Sequence, residues 1–169
     1  HSLMLPSQLA KDAEKEFNKK GKIDFGGATV EKFGNYCVAT LDNPRYLNAE
    51  DENTLKPLEA AIDLALIDKD SELCVLRGGF VEHPKYKNKR IFGAGINLTH
   101  LYQGKISFLW YIKRDMGAVN KVFRGMASEE CTLDDPFFPP KEKPWIATLD
   151  TFAIGGGCQY LLVSDHIMA

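Results

Sequence analysis

The chain has 169 residues, with 21 lysines and arginines against 23 acids and a net charge of −2. At about 150 residues per domain, that length argues for one domain. So even a charge balance excludes both the basic footprint of a nucleic-acid binder and a polybasic membrane face. Apolar residues are 44% and charged residues 26%, a globular mix rather than a disordered one. The longest apolar run near the middle, Ile106 to Ile112 interrupted by Ser107, is too short to cross a bilayer. Cys37, Cys74, Cys131 and Cys158 show no Cys-x-x-Cys spacing. That excludes a zinc ribbon and fits the reduced thiols of a cytoplasmic protein. The start at His1 and the strand-like end at His166–Ala169 lead to the expectation of a piece of a longer polypeptide, incomplete at both ends.

Residues 1–22 read as the end of a helical region, with a surface helix around Ala10, Ala13 and Phe17 that Gly21 stops. Ala28–Phe33 and Tyr36–Leu41 read as strands joined by the two-residue turn Gly34-Asn35. Asn43-Pro44 breaks the second strand. Leu55, Leu58, Ile62, Ala65 and Leu66 recur at the helical period, which predicts a helix over 52–67 with Pro57 near its start. Leu73–Leu76 and Trp145–Leu149 are short apolar runs that read as strands buried on both faces. Between them come a loop over 80–90, a glycine-punctuated turn and short helix over 92–101, and a long helix over 107–123. The last is amphipathic through Phe108, Tyr111, Met116, Val119 and Val122. Ala127 to Pro144, with Asp134-Asp135-Pro136 and Pro139-Pro140, reads as a loop. Gly155–Gly157 opens a helix to about Val163, and a strand begins at Asp165. Alternating strands and helices make an α/β fold with crossover connections.

Two glycine clusters, Gly93-Ala-Gly95 and Gly155-Gly-Gly157, each follow a buried strand. Glycine allows close backbone approach to a ligand, and a helix N-terminus aims unpaired N–H groups at negative charge. Converging on one point, the clusters would stabilise an oxyanion; separately, they would merely permit tight turns. Neither fits Gly-x-Gly-x-x-Gly, no Gly-Lys-Ser/Thr ends a phosphate loop, and no Gly-x-Ser-x-Gly elbow exists. His1, His83, His100 and His166 show no metal-ligand spacing and read as surface or loop histidines.

Taken together, the segments Phe92–Leu98 and Asp150–Cys158 resemble the two signature segments of the crotonase (enoyl-CoA hydratase/isomerase) superfamily. Leu41–Ala49 resembles its first CoA-side segment. The resemblance covers roughly residues 23–169 and implies the N-terminal part of a crotonase-like acyl-CoA domain, a ββα superhelix. Asn43–Asp51, His83–Tyr86, Gly95–Leu98 and Lys143–Trp145 narrow it to the 3,5-dihydroxyphenylacetyl-CoA 1,2-dioxygenase branch. That branch supplies building blocks for nonribosomal peptide antibiotics.

The resemblance implies oxyanion-hole donors at the N–H groups of Ile96 and Gly156, and a carboxylate, Glu50, that meets ring hydroxyls. It places Gln159 where hydratases carry a catalytic glutamate, and an amide cannot abstract a proton as a carboxylate can. Arg114 matches a substrate-contacting arginine. Arg45, His83, Pro84, Lys85, Tyr86, Ala94, Gly95, Asn97, Leu98, Thr99, Gly157 and Cys158 would line the CoA and the acyl group. The implied reaction joins O2 to an arylacetyl-CoA without metal or organic cofactor, and the implied assembly is a homotrimer or hexamer.

The residues by themselves leave other readings open. Glu50 with Asp51 could cap the helix at Glu52. Arg114 could be an exposed partner of Asp115, Cys158 a core residue and Gln159 an ordinary helix position. At the level of function, another crotonase-type lyase, hydrolase or isomerase and a catalytically silent CoA-binding or assembly piece stand beside the dioxygenase.

Overall fold

A computed structural model describes residues 2–128 and 140–169. Cys131, Asp134, Asp135 and Pro139 of the expected loop lie outside the described residues. Helix α1 (Gln8–Lys20) starts where the Ser7 side chain accepts from the Ala10 N–H, and it ends at Gly21, whose φ of +69° closes the last turn. Its Ala10 and Phe17 enter the core. Strands β1 (Lys22–Asp24), β2 (Ala28–Phe33) and β3 (Tyr36–Leu41) form an antiparallel meander. The hairpin turns at Gly34-Asn35, and the stacked rings of Phe33 and Tyr36 face each other at its end.

From β3 the chain crosses over through α2 (Glu52–Ile67) to β4 (Leu73–Gly78), which lies parallel to β3 with Cys37 opposite Cys74. Helix α2 takes the predicted bounds. Asp51 caps it with a reciprocal bond to Thr54, and nearly every apolar side chain from Leu55 to Leu66 is buried, most of them in the core cluster with the sheet and α1. Strand β5 (Trp145–Thr148) pairs parallel with β4. A second crossover, α6 (Gly156–Val163), leads to β6 (His166–Met168), parallel to β5. Six strands thus stand in sequence order in a mixed sheet, the ββα arrangement of crotonase-like folds.

Burial alternates along β4 and β5, so these strands are covered on one face only. The expectation of two-faced burial fails. Cys74, Leu76, Trp145 and Ala147 face the helices, while Leu73, Val75, Ile146 and Met168 line a shallow groove of about 500 Å3 on the other side. Short apolar runs mark a strand without saying how many faces are covered.

The excursion from β4 to β5 carries α3 (Leu98–Tyr102) and a continuous helical run of α4 (Phe108–Lys113), a π-helical stretch Arg114–Val119, and α5 (Asn120–Arg124). Helix over 107–123 is right, but its inward stripe differs from the expected one. Phe108 and Met116 are exposed, whereas Trp110, Arg114, Ala118, Lys121 and Val122 are buried. The wider π turn advances the inward register, and acidic partners elsewhere in the chain draw two cations inside.

Candidate active site

Three segments meet at the ends of β3 and β5. The turn after β3 is organised by Asn48, fully buried and at a left-handed φ of 56°, a conformation asparagine tolerates. Its amide donates to the carbonyls of Gly79 and Ile91, at 2.9 and 2.8 Å, and its oxygen accepts from Asn43 N–H. This clamp was not singled out in the sequence, though Asn next to Ala-Glu in a turn is its signal. Glu50 then runs beside Ile96. Glu50 N–H donates to the Gly95 carbonyl at 2.7 Å, and Asn97 N–H donates to the Glu50 carbonyl at 2.8 Å.

The same loop is stitched to the segment before α6, with Gly93 beside Ala153 and Ile154 N–H donating to the Gly93 carbonyl. Gly95 has φ +79°, and a Cβ there would lie 2.9 Å from the Ile154 carbonyl oxygen, so no other residue fits without displacement. The two glycine clusters therefore converge. Among the described residues, no acceptor within the chain takes the N–H of Ile96 or of Gly156. Gly156 opens α6, whose N-terminal dipole favours negative charge at that spot.

Beneath them lies a buried ion pair. Arg114, 2% exposed, grips Glu50, 3% exposed, through Nε to Oε2 at 2.8 Å and Nη2 to Oε1 at 2.7 Å. Its Nη2 also donates to the Gly156 carbonyl at 2.7 Å, and its Nη1 donates to Gln159 Oε1 and to Asp115 Oδ1. All five guanidinium N–H donors are thus engaged inside the chain. A ligand can reach one of them only by displacing Gln159, Asp115 or another acceptor. The side-chain position that Gly156 lacks is filled by this pair: a Cβ there would lie 2.9 Å from Arg114 Nη2 and 3.0 Å from Glu50 Oε1. Burial works against the Arg114 charge, but the Glu50 carboxylate bonded to it more than offsets this and holds its pKa above the ordinary arginine value.

The capping role belongs to Asp51, not Glu50. Asp51 is buried and also accepts from Asn97 Nδ2 at 2.9 Å and faces His100 Nδ1 at 2.8 Å. Asn97 thereby ties the loop to α2 and caps α3 through the His100 N–H. Of the remaining expected residues, Leu98 and Thr99 are exposed at the start of α3, and Ala94 N–H bonds to the Leu47 carbonyl. Arg45 lies exposed over the Tyr46 ring. His83 caps the short Pro84–Tyr86 turn by accepting from Lys85 N–H, and Tyr86 meets Phe152 edge-on at 5.5 Å. The 83–86 loop thus borders the loop before α6. Lys85 lies over the Tyr86 ring. Gly157 abuts the Gly93 carbonyl, and the half-buried Cys158 thiol points to the Ala153 carbonyl at 3.3 Å. Among the described residues no group of three or more His, Cys, Asp or Glu side chains could hold a metal ion.

No family model matches the chain. It is 37% identical, over 169 residues, to the (3,5-dihydroxyphenyl)acetyl-CoA 1,2-dioxygenase of Amycolatopsis orientalis, covering 99% of this chain and 38% of that protein. With the short-chain-enoyl-CoA hydratase of Clostridium acetobutylicum it shares 30% identity over 145 residues, 85% of this chain and 46% of that one. The structure superposes on an enoyl-CoA hydratase/isomerase from Xanthobacter autotrophicus Py2 with a TM-score of 0.61 at 20% identity, over 85% of this chain and 46% of the other. The fold is that of the crotonase (enoyl-CoA hydratase/isomerase) superfamily, and the sequence is similar to members of it. The chain spans less than half the length of these crotonase relatives. Among the described residues no helix is long and apolar enough to cross a membrane.

Proposed function

We propose that this chain contributes to an acyl-CoA enzyme of the crotonase type, in which the N–H groups of Ile96 and Gly156 hold the oxygen of a thioester as it becomes an enolate. The observation that carries the reading is the convergence, over the buried Glu50–Arg114 pair, of two N–H groups that find no acceptor among the described residues. Donors fixed at the position of developing charge contribute a few kcal/mol each, about 3 by the loss seen when one is removed. Leu98 and Thr99 at the start of α3, with Arg45 and the 83–86 loop, supply the surface for the CoA. The homotrimer or hexamer belongs to the same proposal, supported by apolar side chains left open at Leu98, Phe108 and Leu162.

Within that class we favour a dioxygenase acting on an arylacetyl-CoA. Gln159 stands where a carboxylate base would be needed for hydration, and its oxygen already accepts from Arg114. Each Glu50 oxygen accepts one bond from Arg114 and keeps acceptor capacity for a hydroxyl of a phenolic ligand. The α-carbon loses a proton, and the enolate passes one electron to O2. Recombination forms the carbon–oxygen bond of a peroxide, which attacks the thioester carbonyl and expels CoA. O–O cleavage leaves an arylglyoxylate that carries both oxygen atoms, and the second α-hydrogen departs as a proton. The second reading is a hydratase, lyase, hydrolase or isomerase, favoured by the 30% identity to the Clostridium hydratase, and it needs a working carboxylate other than residue 159.

Oxygen uptake with 3,5-dihydroxyphenylacetyl-CoA, followed together with CoA release, tests the choice. Uptake equal to thiol release and unaffected by exhaustive chelation supports the dioxygenase. Turnover of an enoyl-CoA without oxygen uptake selects the second reading. Failure to bind an unreactive thioether analogue of the acyl-CoA removes both.

A further inference from the structure

Arg114 is held between two aromatic rings. Trp110 of α4 lies 5.9 Å from the guanidinium carbon and Tyr160 of α6 lies 4.9 Å from it. Trp110 also belongs to the apolar cluster against which Ile96 packs, and Tyr160 follows Gln159 on the helix that Gly156 opens. The two rings therefore connect the one cation to both N–H-bearing segments.

Tyr160 carries a further peculiarity. It is 2% exposed, and among the described residues its hydroxyl makes no well-formed hydrogen bond, bonding at most weakly to the neighbouring Glu50 carboxylate. An unpaired buried hydroxyl is destabilising, and phenylalanine would fill the same space without that cost. Burial and the nearby Glu50 carboxylate push the phenol well above its ordinary value, so it stays a neutral O–H donor beside a carboxylate with acceptor capacity to spare. Hydrogen bonds at reacting sites are commonly long or misaligned without ligand and tighten when it binds.

We propose that Tyr160 is a positioning residue for the Glu50–Arg114 pair: its ring carries the guanidinium, and its hydroxyl closes onto Glu50 when a thioester occupies the Ile96 and Gly156 N–H groups. This rests on the functional reading above for the ligand, and on the ion pair alone for the ring. Once closed, the Tyr160 bond fixes which Glu50 lone pairs remain for the ligand.

Tyr160→Phe removes only the hydroxyl, and Tyr160→Leu removes the ring. For Tyr160→Phe the expected result is an unchanged or higher melting temperature, an unchanged KM for the acyl-CoA, and a kcat lower by roughly ten- to a hundredfold, the worth of a hydrogen bond to a charged group. A merely structural tyrosine would spare kcat, and a kcat per folded molecule equal to the parent's overturns the hydroxyl's role whatever the melting temperature does. The ring is tested without turnover, by the arginine Nε–H signal of Arg114 in nitrogen-15 NMR, assigned by its loss in Arg114→Lys. The parent and Tyr160→Phe should show a signal protected from solvent exchange, and Tyr160→Leu should lose that protection. A signal equally protected in Tyr160→Leu removes the ring's role. A parent that neither binds the thioether analogue nor turns over refutes the functional reading and the hydroxyl's closure, and leaves the NMR comparison to decide the ring.

Discussion

Arg114 and Lys121 are both fully buried cations on the same helical run, yet their surroundings differ in kind. Lys121 presents a point charge to two carboxylates, Glu59 Oε1 and Asp63 Oδ1, each at 2.8 Å, deep between α2 and α5. Asp63 in turn accepts the Ser7 N–H, which ties the segment before α1 to the same knot. Arg114 spreads its five donors over Glu50, Gln159, Asp115 and the Gly156 carbonyl, and lies between two rings at the edge of the candidate site. One cation seals the core. The other fixes the relative placement of three segments that bear on a ligand. A planar fork suits the second task and a compact ammonium the first.

Removing the sealed cation should have the largest effect on folding. Lys121→Met leaves the buried Asp63 and the half-buried Glu59 without their partner, and a broken buried pair costs about 3–5 kcal/mol. Urea unfolding measures it, and a loss under about 1 kcal/mol, the range of an exposed pair, would place Lys121 with surface charges. Arg114→Lys keeps a charge but loses the fork. It should cost roughly 1.5–3 kcal/mol and, unlike any surviving folded Lys121 variant, weaken binding of the thioether acyl-CoA analogue. Equal binding in the two variants would erase the distinction between the two cations.

Glu50→Gln sharpens the same contrast with a smaller stability effect. The sequence alone suggests that Glu50 can be changed with little harm to folding unless it is a helix cap. The ion pair changes that expectation, because the amide leaves Arg114 with only the half-exposed Asp115 as counter-charge. A loss of roughly 1–3 kcal/mol is expected, accompanied by a fall in turnover larger than the loss of folded protein explains. Retention of the parent's rate per folded molecule would take Glu50 out of the reaction.

What could be read from the residues follows from how local the cause is. The Asp51 cap, the 52–67 periodicity and the Gly34-Asn35 turn act within a few residues, and those elements take the expected bounds. The glycine clusters were legible for a similar reason, since close backbone approach leaves few alternatives to glycine at Gly95. Arg114 and Lys121 were not legible by their burial. A cation on a helix reads as surface until the carboxylates that meet it are known, and Glu50, Glu59 and Asp63 come from a distant part of the chain. The π turn was hidden too, because an apolar period read over 107–123 does not distinguish a π turn from an α turn.

The smallest effect concerns the surplus acid beside Lys121, where two carboxylates share one ammonium. Burial raises the Glu59 pKa above its ordinary value, and Lys121 offsets this only in part. In the window just above about pH 4.3, the folded chain therefore holds more protons at this residue than the unfolded chain does. Stability then falls as pH rises through that window, by the sign of the linkage relation. Glu59→Gln removes that dependence and leaves the Lys121–Asp63 pair in place. The parent should accordingly be favoured over Glu59→Gln most at the acidic end, with the difference shrinking toward neutrality. Urea unfolding of both chains between pH 4.5 and 7 gives the comparison. A difference that grows in the parent's favour as pH rises would mean that Lys121 holds Glu59 ionised more strongly than burial opposes it, and the knot would then need both acids.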